Sequence, residues 1–301
     1  MTQHSWPALL LARACDGPPR IPFHLLSDGG PVLGSVALHH LDALREWPDA
    51  FELLTHADGS PRALVLCLPA SVRDARLAHV HARLRAQGLI VGWRDEPYPL
   101  RDRQCGEHGV IERAASRFWG TLTLGGHCNG YVADASGRPT HLWIARRSLT
   151  KATDPGRLDN VIGCGVALGQ TPREAVVREG WEEAGLVPAQ MAGLVEGGLV
   201  DLECDIPEGR QHERLHAFDL EFPGDLVPRN MDGEVAEHRL MTVAEALART
   251  AAGELTTDAA LATLDFAVRH RLIEPNAPAR EPTGMVPWSA ADAAAFEALR
   301  P

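Results

Sequence analysis

The stretch GCGVALGQTPREAVVREGWEEAGL, residues 163 to 186, decides how this chain is read. Thr171, Pro172 and Glu174 mark a helix start: a threonine able to cap the first turn, a proline whose fixed φ suits the first helical position, and a glutamate placed to complete a capping box. Gly185 supplies the stop. At about 100° per residue, Glu182 lies roughly 60° to one side of Glu179 and Glu183 about 40° to the other, so three carboxylates share one face. Val177, Trp181 and Ala184 fall opposite and are predicted to form the buried back of the helix.

A solvated acidic face is the ordinary explanation of such a run. Here the i,i+3 and i,i+4 repulsions cost about 0.2–0.5 kcal/mol each, and Arg178 is the one arginine beside them. Hard oxygen donors in this pattern are what Mg2+ or Mn2+ takes, and such an ion would relieve the repulsion while offering open positions to a diphosphate. The glycine-rich approach GCGVALG suits a backbone loop packed closely against that site.

The pattern resembles the Nudix box, in which a glycine is followed after five residues by a glutamate and after seven more by Arg-Glu-aliphatic-any-Glu-Glu-any-Gly-aliphatic. Arg178, Glu179, Glu182, Glu183, Gly185 and Leu186 stand in register. Cys164 replaces the box glycine, Gln170 the first glutamate and Gly180 the bulky aliphatic. The resemblance implies an α/β/α sandwich with a mixed sheet over residues 116–274, metal held by Glu179, Glu182 and Glu183, and Arg178 orienting Glu179 or its neighbours. Glu179, Glu182, Arg178 and a glutamate from a later loop would be catalytic; Glu234 is the choice for the last, with Glu237 of the same NMDGEVAEHRLM segment as its rival.

A narrower resemblance lies in RRSLTKATDPGRLDNVIGCGVALG (146 to 169), where PGRLDN replaces the usual tryptophan-containing turn. With the GWRDEPYPL ending of the N-terminal unit, this is similar to the Nudix subfamily related to the N-terminal region of fungal thiamine pyrophosphokinases, and covers about residues 20 to 270. It implies cleavage of thiamine diphosphate or a damaged analogue. Arg147 and Lys151, just ahead of the loop, are candidate phosphate contacts, because a diphosphate in an acidic protein needs local cations. Trp93 and Arg94 are candidates for stacking on a ring.

Outside this region the chain reads as a small α/β unit over residues 1–115. ALVLCLP (63 to 69) is a buried strand, and 71 to 88 a helix with Ser71 as N-cap, Leu77, Val80 and Leu84 on one face and Gly88 at its end. LIVGWRDEPYPL reads as a strand, PYPLRDRQCGEHG as a boundary and IERAASRFWG as a short helix. Strands are expected in GYVADASGRPTHLWIARR and LHAFDLEF, and a helix over 243 to 252 capped by Thr242 and Glu245. Residues 275–301 read as a proline-rich linker (275 to 287) and a terminal helix.

The formal charge of −11 argues against nucleic acid and anionic membranes as partners. Six cysteines without a Cys-x-x-Cys pair indicate reduced thiols. No signal-like or spanning segment is present, so a cytoplasmic location is expected. A homodimer is allowed but no long apolar stripe demands it. HERLH (212 to 216) matches the His-Glu-x-x-His zinc pattern, but that pattern works on a helix and this segment alternates like a strand. The competing functions are an ADP-ribose or nucleotide-sugar pyrophosphatase, an isopentenyl diphosphate isomerase-like enzyme, which needs a placed cysteine, and a binding module without catalysis.

Overall fold

The structure, a computed structural model, describes residues 6–27, 29–273 and 287–301. The expected linker at 275 to 287 lies outside the described residues except for Pro287. After a short α1 (Pro7–Leu11), the first sheet is built from β1 (Arg20–Leu25), β2 (Val32–Ala37), β3 (Phe51–Thr55) and β4 (Pro61–Leu66), with the one-turn α2 (Leu41–Leu44) between β2 and β3. Its order is β2-β1-β4-β3, with β1 and β4 parallel. α3 (Ala70–Ala86) covers it with Leu77, Val80 and Leu84 buried, as their spacing predicts, and Gly88 follows with φ +74°. Ser71 does not cap this helix; the capping position is Pro69, extended at ψ 153° and without a side-chain cap. A residue before a helix that is already extended by its ring needs no hydroxyl to set the entry angle.

The chain continues through β5 (Pro97–Arg101), β6 (Glu107–Glu112), α4 (Ala115–Trp119), β7 (Leu122–Ala133), β8 (Pro139–Arg147), β9 (Leu158–Asn160) and β10 (Ile162–Gly165). Then come α5 (Pro172–Ala184), β11 (Val195–Ile206), β12 (Gly209–Glu221), β13 (Val235–Thr242), α6 (Val243–Ala251), α7 (Thr257–Arg269) and α8 (Ala290–Glu297). β7 is the hub of the large mixed sheet: it runs parallel to β12 and antiparallel to β5, β8 and β10. Helices cover both faces. On β7, Gly126 faces Val176 of α5, whereas the Asn129 side chain donates to the Ala262 carbonyl of α7 (3.2 Å). The architecture is the α/β/α sandwich that the sequence resemblance implies, preceded by an α/β unit.

Three sequence expectations change. LIVGWRDEPYPL is not one strand: residues 89 to 96 turn, with the Arg94 and Glu96 amides donating to the Glu112 carboxylate (2.9 and 3.0 Å), and β5 begins only at Pro97. Pro97 and Pro99 carry no N–H, and β5 meets β7 only at Arg101, so the prolines sit where a full ladder is not required. The stretch read as a boundary therefore forms a hairpin, β5–β6, whose Tyr98, Leu100 and Ile111 pack into the core of the first sheet. Finally, α7 was not foreseen, although it is the centre of the second core; its residues 259 to 267 are all buried, which erases the amphipathic period. Trp6 and Leu9 join that core rather than the first sheet, and Trp6 packs edge-on against Trp288 ahead of α8.

Candidate active site

α5 has the predicted ends. The Thr171 hydroxyl accepts from the Glu174 amide (3.2 Å), the Glu174 carboxylate accepts from the Thr171 amide (2.8 Å), and Gly185 ends the helix at φ +67°. Its buried face matches the prediction only in part: Ala184 is buried and Val177 partly so, but Trp181 is not. Val176, Gly180, Glu183 and Ala184 are buried, and Trp181 is 48% exposed. Close packing selects this face. A Cβ on Gly126 would stand 2.6 Å from the Val176 side chain, and one on Gly180 would meet the Met191 sulfur at 2.9 Å. Met191 thus occupies the space that a bulky aliphatic at position 180 would fill.

Burying that face carries Glu183 into the protein, at 5% exposure. One carboxylate oxygen accepts from the Gly163 amide (2.9 Å) and the other lies 3.6 Å from the Lys151 ammonium. Burial still wins, pushing the Glu183 carboxyl up to about 8 against the pull of Lys151. Glu179 is raised to about 7, chiefly by burial, with Arg178 opposing and Glu182 adding repulsion. Arg178 bridges the pair, 2.7 Å from Glu179 and 3.0 Å from Glu182.

The other predicted residues gather around this helix. Lys151 is also paired with Glu234, which reaches the cleft from the loop before β13. Glu237 instead lies on β13 beside Arg146 (3.7 Å) and Arg239 (3.2 Å). Arg147 lines the cleft but is not a free cation: it donates to Asp159 (2.7 Å) and to the Thr153 carbonyl (2.9 Å), and so fastens the loop that carries Lys151. Trp93 is held by Asp95 (2.7 Å) beneath the Arg85 guanidinium and does not line the cleft, whereas Arg94 does. Gln170 also stands away from it, its amide oxygen buried without a partner. The Cys164 thiol, half-buried at the cleft beside Glu179 and Glu183, is pushed well above its ordinary value, chiefly by desolvation, and donates to the Gly126 carbonyl (3.5 Å). It is no ready nucleophile.

The cleft encloses about 880 Å³ between the first unit and the large sheet. Sequence reasoning missed other residues that line it: His127, Asp159, Glu213 and Asp258, with Arg113 and Arg117. These residues stand on separate elements and form no linear motif. HERLH lies on strand β12, so it builds no zinc helix, yet its Glu213 enters the cleft, paired with Arg117 at 3.2 Å. Residues four apart on a strand are separated by about 13 Å, which rules out shared coordination by His212 and His216.

Among the described residues, no three His, Cys, Asp or Glu side chains already close around one point as a metal cage. The donor chemistry of α5 nevertheless fits a divalent cation. Three hard carboxylates lie within five residues, and two of them have raised proton affinity because the cations around them do not offset burial. A further positive charge is what the cluster lacks.

Comparison with known proteins agrees with this geometry. The family model described as NUDIX domain matches residues 129–260, and that described as Domain of unknown function (DUF4743) matches residues 22–123. Nudix hydrolase 24, chloroplastic, of Arabidopsis thaliana is 35% identical over 254 residues, covering 82% of this chain and 67% of the relative. Nudix hydrolase 20, chloroplastic, of the same plant is 32% identical over 253 residues, with 81% and 67% covered. The crystal structure of DR0079 from Deinococcus radiodurans superposes with a TM-score of 0.44 at 24% identity, covering 57% of this chain and 99% of that one. With a relative of this identity matched over most of the chain, and the carboxylate helix in register, the chain belongs to the Nudix hydrolase family.

Proposed function

We propose that this hydrolase cleaves the diphosphate bond of thiamine diphosphate or a damaged analogue, giving the monophosphate and phosphate, with Mg2+ or Mn2+ held by Glu179, Glu182 and Glu183. The observation that carries the reaction class is the trio of carboxylates facing the cleft on α5, with Glu179 and Glu183 raised by burial and Lys151 beside them. The organic half of the substrate rests on the sequence resemblance of residues 146 to 169 and of the N-terminal unit, which contributes Arg94 and Arg113 to the cleft. A bound divalent ion would polarise the phosphoryl oxygens and lower the pKa of a water beside it.

The chain's own groups supply the rest. Glu179, which lines the cleft beside Arg178 and Glu182, is the group placed to take the proton of the attacking water. As the water oxygen bonds to phosphorus, the bridging P–O bond breaks and its electron pair leaves with the monophosphate. Arg178 fixes the orientation of Glu179 and Glu182 through its two short contacts. Lys151 meets the anionic diphosphate while holding Glu183 and Glu234 in place. The division at about residue 115 into an N-terminal unit and a catalytic unit is part of the same proposal.

The test is a panel of thiamine diphosphate, an oxidised thiamine diphosphate, ADP-ribose, a nucleotide sugar and isopentenyl diphosphate, each with Mg2+ and with EDTA, assayed for phosphate and monophosphate. Metal-dependent release from the thiamine compounds alone, lost in Glu182→Gln, is the expected result. Preferred turnover of ADP-ribose or of the nucleotide sugar would overturn the substrate assignment, and turnover that survives EDTA would overturn the metal.

A further inference from the structure

The cleft contains a histidine whose tautomer is fixed by the fold. Asn129 donates to the Ala262 carbonyl of α7 (3.2 Å), so its side-chain oxygen is an acceptor, and Asn160 donates to it (3.0 Å). The Asn160 oxygen therefore also accepts, from His127 Nδ1 at 3.0 Å. A neutral His127 thus carries its proton on Nδ1 and a lone pair on Nε2. His127 is 6% exposed and lines the cleft, and among the described residues its Nε2 has no hydrogen-bond partner.

Beside it stand three carboxylates that are not equally satisfied. Arg147 neutralises Asp159 at 2.7 Å, and Arg117 neutralises Glu213 at 3.2 Å. Among the described residues, Asp258, in the first turn of α7, has no ion-pair partner; it accepts from the Gln211 amide at 3.3 and 3.4 Å. A helix N-terminus favours an acid at that place. That preference alone would be met by a solvated side chain, whereas this one lines the cleft.

We propose that His127, Glu213 and Asp258 form a recognition subsite for a positively charged, amino-bearing heterocycle, the organic half of the diphosphate substrate. The assignment rests on the proposed diphosphate hydrolysis and names the residues that receive the organic half of its substrate. An N–H group on the ring donates to His127 Nε2, and the cationic centre is balanced by Asp258. The cleft is then bipolar: the diphosphate lies by α5 and Lys151, and the heterocycle lies by α7. Neutral or anionic organic groups leave Asp258 without a counter-charge and are discriminated against.

The experiment separates this subsite from the reaction. The full chain, without metal, is titrated calorimetrically with thiamine, a cationic aminoheterocycle that has no phosphate, with benzyl alcohol as an uncharged ring and with inorganic pyrophosphate. Thiamine is expected to bind and benzyl alcohol not. Asp258→Asn is expected to weaken thiamine at least about tenfold, the scale of losing one charged contact, and to leave pyrophosphate binding unchanged. Equal binding of thiamine by wild type and Asp258→Asn, or by wild type no preference for thiamine over benzyl alcohol, overturns the subsite; the second comparison decides the matter if the variant does not fold. Thiamine binding that persists although no thiamine compound is hydrolysed supports the subsite and sinks only the proposed reaction.

Discussion

The Lys151 ammonium stands 3.6 Å from the Glu183 carboxylate and is paired on its other side with Glu234, so one flexible side chain ties the loop before β9 to α5 and to the loop before β13. It is 14% exposed and faces the cleft. Lys151→Met removes a charge-assisted contact to a diphosphate, which is worth about 1.5–3 kcal/mol. KM should rise by roughly ten- to a hundredfold, while circular dichroism stays native, and Lys151→Arg should recover part of the loss. A KM within twofold of wild type for Lys151→Met would remove this residue from phosphate binding.

Glu183 makes stability depend on pH in the metal-free protein. Its folded pKa, about 8, is raised above the ordinary 4.5, so the folded state holds a proton that the unfolded state gives up. That contribution is complete below about pH 4.5 and is lost as pH rises through 8. Between pH 6 and 8 the metal-free protein should lose up to about 2 kcal/mol from this group. Urea titrations at the two pH values should show the fall, and Glu183→Gln should flatten it. Added Mg2+ should reverse it by favouring the ionised carboxylate; a flat profile in wild type would show that Glu183 is ionised throughout.

Arg147 is predicted to act through position rather than by touching phosphate, because its fork is already committed to Asp159 and Thr153. Arg147→Lys keeps the charge but cannot reproduce the two-sided contact. Proteolysis within residues 150 to 156 should accelerate in this variant, with kcat/KM reduced about tenfold or more through Lys151. If Arg147→Lys instead raised KM alone, with unchanged proteolysis, direct contact with the substrate would be the better account.

The parts legible in the sequence are those whose causes are local. α5 begins and ends where Thr171, Pro172, Glu174 and Gly185 dictate, since each acts within four residues of itself. Its orientation was not legible. Trp181 is the large apolar residue and was assigned to the interior, but the buried stripe runs through a glycine and a glutamate, because the backbone approach to β7 and the bond from Gly163 outweigh side-chain hydrophobicity. The Asn129–Asn160–His127 chain and Asp258 were invisible for a different reason: strand pairing and α7 bring together residues 127, 160 and 258, and no spacing rule links them. Arg147 was legible as a cleft residue, but its bond to Asp159 was not, because that partner is met only after the chain has turned through the loop.

Cys164 occupies the glycine position of the box and offers a clean distinction between hydrolysis and cysteine-dependent isomerisation. Its thiol is half-buried at the cleft, raised well above its ordinary range by desolvation and by Glu179 and Glu183, and directed at the Gly126 carbonyl. A thiol in this state is a small packing group rather than a thiolate. Cys164→Ala should therefore retain kcat within about threefold, and stability should fall by about 1 kcal/mol for the lost sulfur contacts. Iodoacetamide at pH 8 should modify exposed Cys15 well before Cys164 in peptide mapping by mass spectrometry. Loss of activity in Cys164→Ala with the fold intact, together with rapid alkylation at that position, would require a thiol in the chemistry and put the isomerase-like reading ahead of hydrolysis.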